Sequence, residues 1–138
     1  MAINKFHNTP LLRKIGIKEG MKIALFGAPS WLLVEMQTQN HYYEIDKLVV
    51  SEYDLIWIFE NTIGGMELKL KKAQKHIVKN GMIWVSWYKK SSKKPTELDE
   101  DIIRATALAL DLVDIKVASV NNDWSALKMV IPLAKRGA

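Results

Sequence analysis

Three serines in this chain stand three residues before a lysine: Ser86/Lys89, Ser91/Lys94 and Ser125/Lys128. In serine-lysine hydrolases such a spacing lets the amine take up the proton of a nucleophilic hydroxyl. Three occurrences among 20 Lys and Arg point to coincidence. On an extended strand an odd separation also puts the two side chains on opposite faces. The companion motifs of those hydrolases are missing, so no Ser-Lys nucleophile, and no other catalytic residue, is assigned. A second feature is cationic. Lys89, Lys90, Lys93 and Lys94 lie in one loop, which can receive a phosphate or carboxylate with help from the N-terminus of a helix beginning near Glu97. Glu97, Asp99, Glu100 and Asp101 would compete with an anion there, so a solvated, mobile loop is the preferred reading.

Small polar groups beside glycines form a third feature. Asn61, Thr62 and Gly64 follow an apolar run, as Gly27, Ala28 and Ser30 follow another. Such groups suit a ligand crevice and suit an ordinary strand-to-helix loop equally well. The candidate ligand-binding set is Gly27, Ala28, Ser30, Asn61, Thr62, Gly64, Ser86, Lys89 and Lys90. Trp57, Trp84, Trp87 and Trp124 fall within apolar runs and read as core. Trp87 and Tyr88 would offer a stacking surface for a base only by emerging beside Lys89. With no cysteine, thiol chemistry and thiolate metal sites are excluded, and His7, His41 and His76 lack ligand-like spacing, so no metal is expected.

Those residues are positioned by alternating apolar segments. Thr9 and Pro10 read as N-cap and first helical position, and Gly16 as the residue past the end of a short helix. Met21 to Phe26 is a strand, with Gly27-Ala28-Pro29-Ser30 at its carboxyl end. Ser30 is a plausible N-cap for a helix carrying Trp31, Leu32 and Met36 and ending before Asn40. The second strand is either Tyr42 to Ile45 or Lys47 to Val50. Asp54 to Phe59 and Met82 to Trp87 are strands covered on both faces, side by side and parallel, whose exits gather at a common rim. Between them a helix buries Met66, Leu70, Ala73 and Ile77 and stops at Asn80-Gly81. Thr96 with Asp99 forms a capping-box pattern for a helix burying Ile102, Ala105 and Leu108 or Ala109. Val113 to Val117 has one polar face, and Leu127 to Ile131 follows a turn too short for a crossover. These two strands are therefore antiparallel neighbours.

The order amounts to one α/β domain over residues 1–138, a doubly wound, mostly parallel sheet with an antiparallel C-terminal hairpin, a short helix at 9–16 and a polar tail at 135–138. The composition, 49% hydrophobic and 25% charged, excludes a disordered chain. No apolar run approaches the ~20 residues needed to span a bilayer. The N-terminus (MAINKFHNTP) lacks the apolar core of a secretory signal, so the expected location is the cytoplasm. A net charge of +5 permits anionic partners, but much of the lysine lies on one helix where solvation explains it. A small molecule or a protein is the expected partner, and nucleic acid is disfavoured.

Three phrases, Gly20-Met21-Lys22-Ile23-Ala24, Lys79-Asn80-Gly81-Met82-Ile83-Trp84-Val85-Ser86 and the closing hairpin, give the chain its family resemblance. It resembles a shortened methyltransferase-type Rossmann fold. In Gly27-Ala28-Pro29, in WVSW with KKSSK and Pro95-Thr96, and in Asp123 to Lys128, it is also similar to a family of small bacterial proteins known as a domain of unknown function. The likeness runs from about Thr9 to Ile131. It implies S-adenosylmethionine as a cofactor, a Gly-x-Gly-x-Gly turn after the first strand, and an acidic residue ending the second strand to hold ribose hydroxyls. Here the turn reads Phe26-Gly27-Ala28-Pro29-Ser30, with one glycine and a proline that removes an N–H. Glu44, Asp46 and Glu52 are the candidates for the acid. The expectation is a non-catalytic or degenerate ligand- or partner-binding module, with a true methyltransferase as the alternative and an anion or nucleic-acid binder through residues 89–94 as a further one.

Overall fold

The computed structural model describes residues 9–38, 41–50 and 52–137. His7, Asn40 and the N-terminal segment lie outside them. The chain forms β1 (Ile23–Phe26), β2 (Tyr43–Ile45), β3 (Tyr53–Phe59), β4 (Ile77–Tyr88), β5 (Val113–Ser119) and β6 (Trp124–Val130), with helices α1 (Pro10–Ile15), α2 (Ser30–Gln37), α3 (Ile63–His76) and α4 (Glu100–Ala109). They build a six-stranded sheet of order β2-β1-β3-β4-β6-β5. The first four strands are parallel, and β6 runs antiparallel to both β4 and β5. Among the described residues no helix is long and apolar enough to cross a membrane.

Both faces of the central strands are covered, as the two apolar runs require. Ile56, Ile58, Ile83, Val85 and Trp87 pack against Met66, Leu70, Ala73, Ile103 and Ala107 of α3 and α4. Leu55, Trp57, Phe59 and Trp84 pack against Leu12, Ile15, Leu32 and Met36 of α1 and α2. The register Trp57↔Trp84 places the two indoles side by side on one face. The second strand is Tyr43–Ile45, the earlier of the two alternatives. Among the described residues between β2 and β3 there is no helix, and Leu48 and Val50 of this strap pack on the α3/α4 core. The Tyr53 hydroxyl accepts from the Val49 and Val50 N–H groups, at 2.7 and 3.3 Å, and so holds the strap.

Several local expectations are corrected. Ser30 is the first helical residue of α2 and Pro29 its cap, without a side-chain bond. Helix α3 ends at His76, and Ile77 already has extended backbone, so Asn80-Gly81 is not a helix stop. Gly81 instead lets β4 kink beside β3, since a Cβ there would lie 2.9 Å from the Asp54 carbonyl oxygen. Asp99, not Thr96, caps α4, its side chain accepting from Ile102 N. Thr96 Oγ1 accepts from Leu98 N at 3.1 Å and makes a local turn. The later start shifts the buried face to Ile103 and Ala107, leaving Ala105, Leu108 and Ala109 exposed. In β5 the register slips between Asp114 and Lys116. The polar-face expectation fails there: Ile115 and Val117 are 56% and 48% exposed, while Asp114 accepts from Arg104 Nε at 2.9 Å.

Candidate functional site

The exits of β1, β3 and β4 meet at the carboxyl rim, and backbone bonds hold them there. Gly27 has φ +67, and a Cβ on it would sit 2.5 Å from the Phe59 carbonyl oxygen, so the β1 turn lies directly against the end of β3. Glu60 N donates to Ser86 O at 3.0 Å. Asn61 is a latch between exits: its Oδ1 accepts from Tyr88 N at 2.9 Å and its carbonyl from Glu97 N at 2.8 Å. Thr62 caps α3, accepting from Gly65 N at 3.1 Å. Gly64 is exposed on the first turn of α3, and half-buried Ala28 and exposed Ser30 follow the β1 turn.

Ser86, by contrast, is fully buried. Its Oγ accepts from Trp57 Nε1 at 2.8 Å, so it faces the α1/α2 core and not the crevice. Lys89 reaches away to Ser119 Oγ at 2.6 Å, which also separates it from Ser86. Lys90 is exposed and begins a single 3-10 turn through Ser92. Elsewhere in the lysine loop Lys94 Nζ pairs with Asp123 at 3.1 Å and lies 5.3 Å from the centre of the Tyr88 ring. Helix α4 begins ten residues beyond Lys90, at Glu100, so its N-terminus does not assist that loop. Trp87 is buried against the α3/α4 core and offers no stacking surface.

Three features complete the site. Asp46 directly follows β2 with φ +58, a conformation short acidic side chains tolerate. Its Oδ1 accepts from Gly27 N at 2.8 Å across nineteen residues of chain. Of the three candidate acids it is the one at the rim: Glu44 is engaged by the Tyr42 hydroxyl and Lys47, and Glu52 is exposed beyond the strap. The second feature, not foreseen as a group, is an aromatic cluster buried beneath the Gly27 turn, in the α1/α2 core. Phe59 meets Trp57 at 4.8 Å, Trp124 edge-on at 5.0 Å and Trp31 edge-on at 6.4 Å. Tyr88 lies 4.4 Å from Trp124. The alternation that sends Phe59 to the face of Trp57 was the available signal.

Glu60 is the third. Burial opposes its charge, but hydrogen bonds from Lys69 and from the Asn61 and Thr62 N–H groups outweigh that and hold its carboxyl below the usual range. A carboxylate of lowered folded pKa contributes stability above its unfolded pKa, and loses it as pH falls through the folded value. Glu60→Gln should therefore flatten the acid limb of the stability curve. Urea midpoints measured from neutral pH down to pH 3 check this, and a limb as steep as that of the unchanged protein would refute it.

No protein-family model matches the chain, and no curated protein matches its sequence. Solved structures do match in fold. A SAM-dependent methyltransferase from Bacteroides fragilis in complex with S-adenosyl-L-homocysteine superposes with TM-score 0.62 at 10% identity, covering 94% of this chain and 80% of that one. A SAM-dependent methyltransferase from Aquifex aeolicus gives 0.60 at 15% identity, with 88% of each chain covered. CalO1, a methyltransferase in calicheamicin biosynthesis in its SAH-bound form, gives 0.66 at 11% identity over 88% of this chain and 52% of that one. The chain has the fold of the SAM-dependent methyltransferases, in a shortened form.

Proposed function

We propose that the protein binds a ribose-bearing ligand of the S-adenosylmethionine class in the crevice between the Gly27 turn, Asp46 and the Asn61 latch. The observation that carries this reading is the Asp46 carboxylate, set at the end of β2 and 2.8 Å from Gly27 N. An acid about twenty residues beyond a glycine turn is how such folds hold ribose hydroxyls. Its Oδ2 has no partner among the described residues and can accept from a hydroxyl. The protein acts as a binding module rather than a full transferase, because the turn keeps one glycine and Pro29 brings no N–H to the ligand. Methyl transfer is the second reading. The fold shared with solved SAM-dependent methyltransferases supports it.

Calorimetric titration with S-adenosylhomocysteine tests the site. Asp46→Asn keeps the left-handed backbone and the bond from Gly27. It removes a charged acceptor contributing about 1.5–3 kcal/mol, so affinity should fall about ten- to hundredfold. Equal affinity in the variant would remove the site. Transfer of labelled methyl from S-adenosylmethionine into a cell lysate decides the second reading.

A further inference from the structure

On the sheet face turned away from α4, three lysines meet without a carboxylate. Lys116 of β5 and Lys128 of β6 are direct cross-strand partners, so their side chains share a face with Cβ atoms about 5 Å apart. Lys128 stands in turn opposite Trp84 on β4, beneath the C-terminal end of α1, and Lys18 follows that end. The Lys128 amine is pushed down by burial and then by the charges of Lys116 and Lys18. Asp114, the acid of β5, is held on the opposite face by Arg104. One more ammonium group carries the row to the carboxyl rim: Lys14 Nζ donates to Ser119 O at 3.0 Å, an uncharged acceptor. Lys89, bonded to Ser119 Oγ at 2.6 Å, lies on the α3/α4 face, because Ser119 pairs with Ser125 and Ser125 with Trp87, and it does not join the row. Lys94, paired with Asp123, does not join them.

Like charges placed opposite one another on adjacent strands destabilise a sheet, and among the described residues Lys116 and Lys128 form no ion pair. Ser119 stands three residues beyond Lys116 on extended chain, about 10 Å away, a span too long for one phosphate to bridge. A series of phosphates matches it. We propose that Lys14, Lys18, Lys116 and Lys128 form a track for the phosphodiester backbone of a single-stranded nucleic acid. The track is independent of the ribose-binding crevice.

Fluorescence anisotropy with a short labelled oligouridylate tests it on the full chain. Four lysines on single-stranded phosphates predict a slope of log affinity against log salt near −2.8. Lys116→Gln with Lys128→Gln should reduce that slope by about 1.4 and weaken binding at low salt at least tenfold. The same double variant should melt at a higher temperature than the unchanged protein, because the cross-strand repulsion is gone. Lys71→Gln with Lys72→Gln, an equal charge change on exposed positions of α3, should leave binding as it was. S-adenosylhomocysteine affinity should be equal in all three proteins. Absence of binding at low salt, an equal loss in the α3 variant, or tripolyphosphate binding as tightly as the oligonucleotide would each overturn the track.

Discussion

Gly27→Ala is expected to cost about 3 kcal/mol of stability, more than a left-handed backbone alone explains. An L-residue at φ +67 costs about 1–2 kcal/mol. The new Cβ would also sit 2.5 Å from the Phe59 carbonyl oxygen, a backbone atom that moves only with β3. Gly20 is the internal control, with φ +86 and nothing within 4 Å of the added methyl. Gly20→Ala should cost only the conformational part, about 1 kcal/mol. Urea midpoints at constant m compare the two, and equal costs would show that the β1–β3 contact yields. The strained variant should also weaken the proposed binding of S-adenosylhomocysteine, because spreading β1 from β3 moves the Gly27 turn away from Asn61, which follows β3.

Trp84→Ala should cost about 3–5 kcal/mol, as expected for a large aromatic removed from a closed core. Trp84 is wholly buried. Its Nε1 donates to the Ile15 carbonyl at 2.8 Å, one of the last four carbonyls of α1 that have no partner within a helix. A six-residue helix is far below the length that is stable alone, so this indole, together with the packing of Leu12 and Ile15, fixes α1 to the sheet. Trp84→Phe keeps most of the volume and removes the donor, leaving a buried acceptor unpaired at about 1–3 kcal/mol. Tryptic cleavage after Arg13 and Lys14 should quicken in both variants before the rest of the domain unfolds. Cleavage at the unchanged rate would mean that other contacts hold α1.

The central layer was legible because DLIWIF and MIWVSW are too uniformly apolar for any place but a sheet covered on both sides. Thr9, Pro10 and Gly16 marked α1 through local chemistry that tertiary context leaves alone: the Thr9 side chain accepts from Leu12 N, and Gly16 is left-handed at φ +97. The failures occurred where one residue decides a face. Starting α4 at Asp99 rather than Thr96 rotates its buried stripe from Ile102 and Ala105 to Ile103 and Ala107. A slip in β5 turns Ile115 outward for the same reason. Ser86 read as a rim group by position in the chain, yet the two-residue period puts it with Trp84 inside the core. Asp46 was one of three acids in a stretch without strong periodicity, and only the pairing of β2 with β1 selected it.

The strap that joins β2 to β3 has a further consequence. Strand β2 is held by three register positions, and Ile45, Asp46, Lys47 and Val49 are exposed. Segments with few buried contacts exchange amide hydrogens through local opening, well before the core does. Asp46, to which ribose binding is proposed, thus belongs to the least cooperative unit of the sheet. Occupancy and order there rise together, and slower amide exchange around Asp46 would be the first sign that a ligand has arrived.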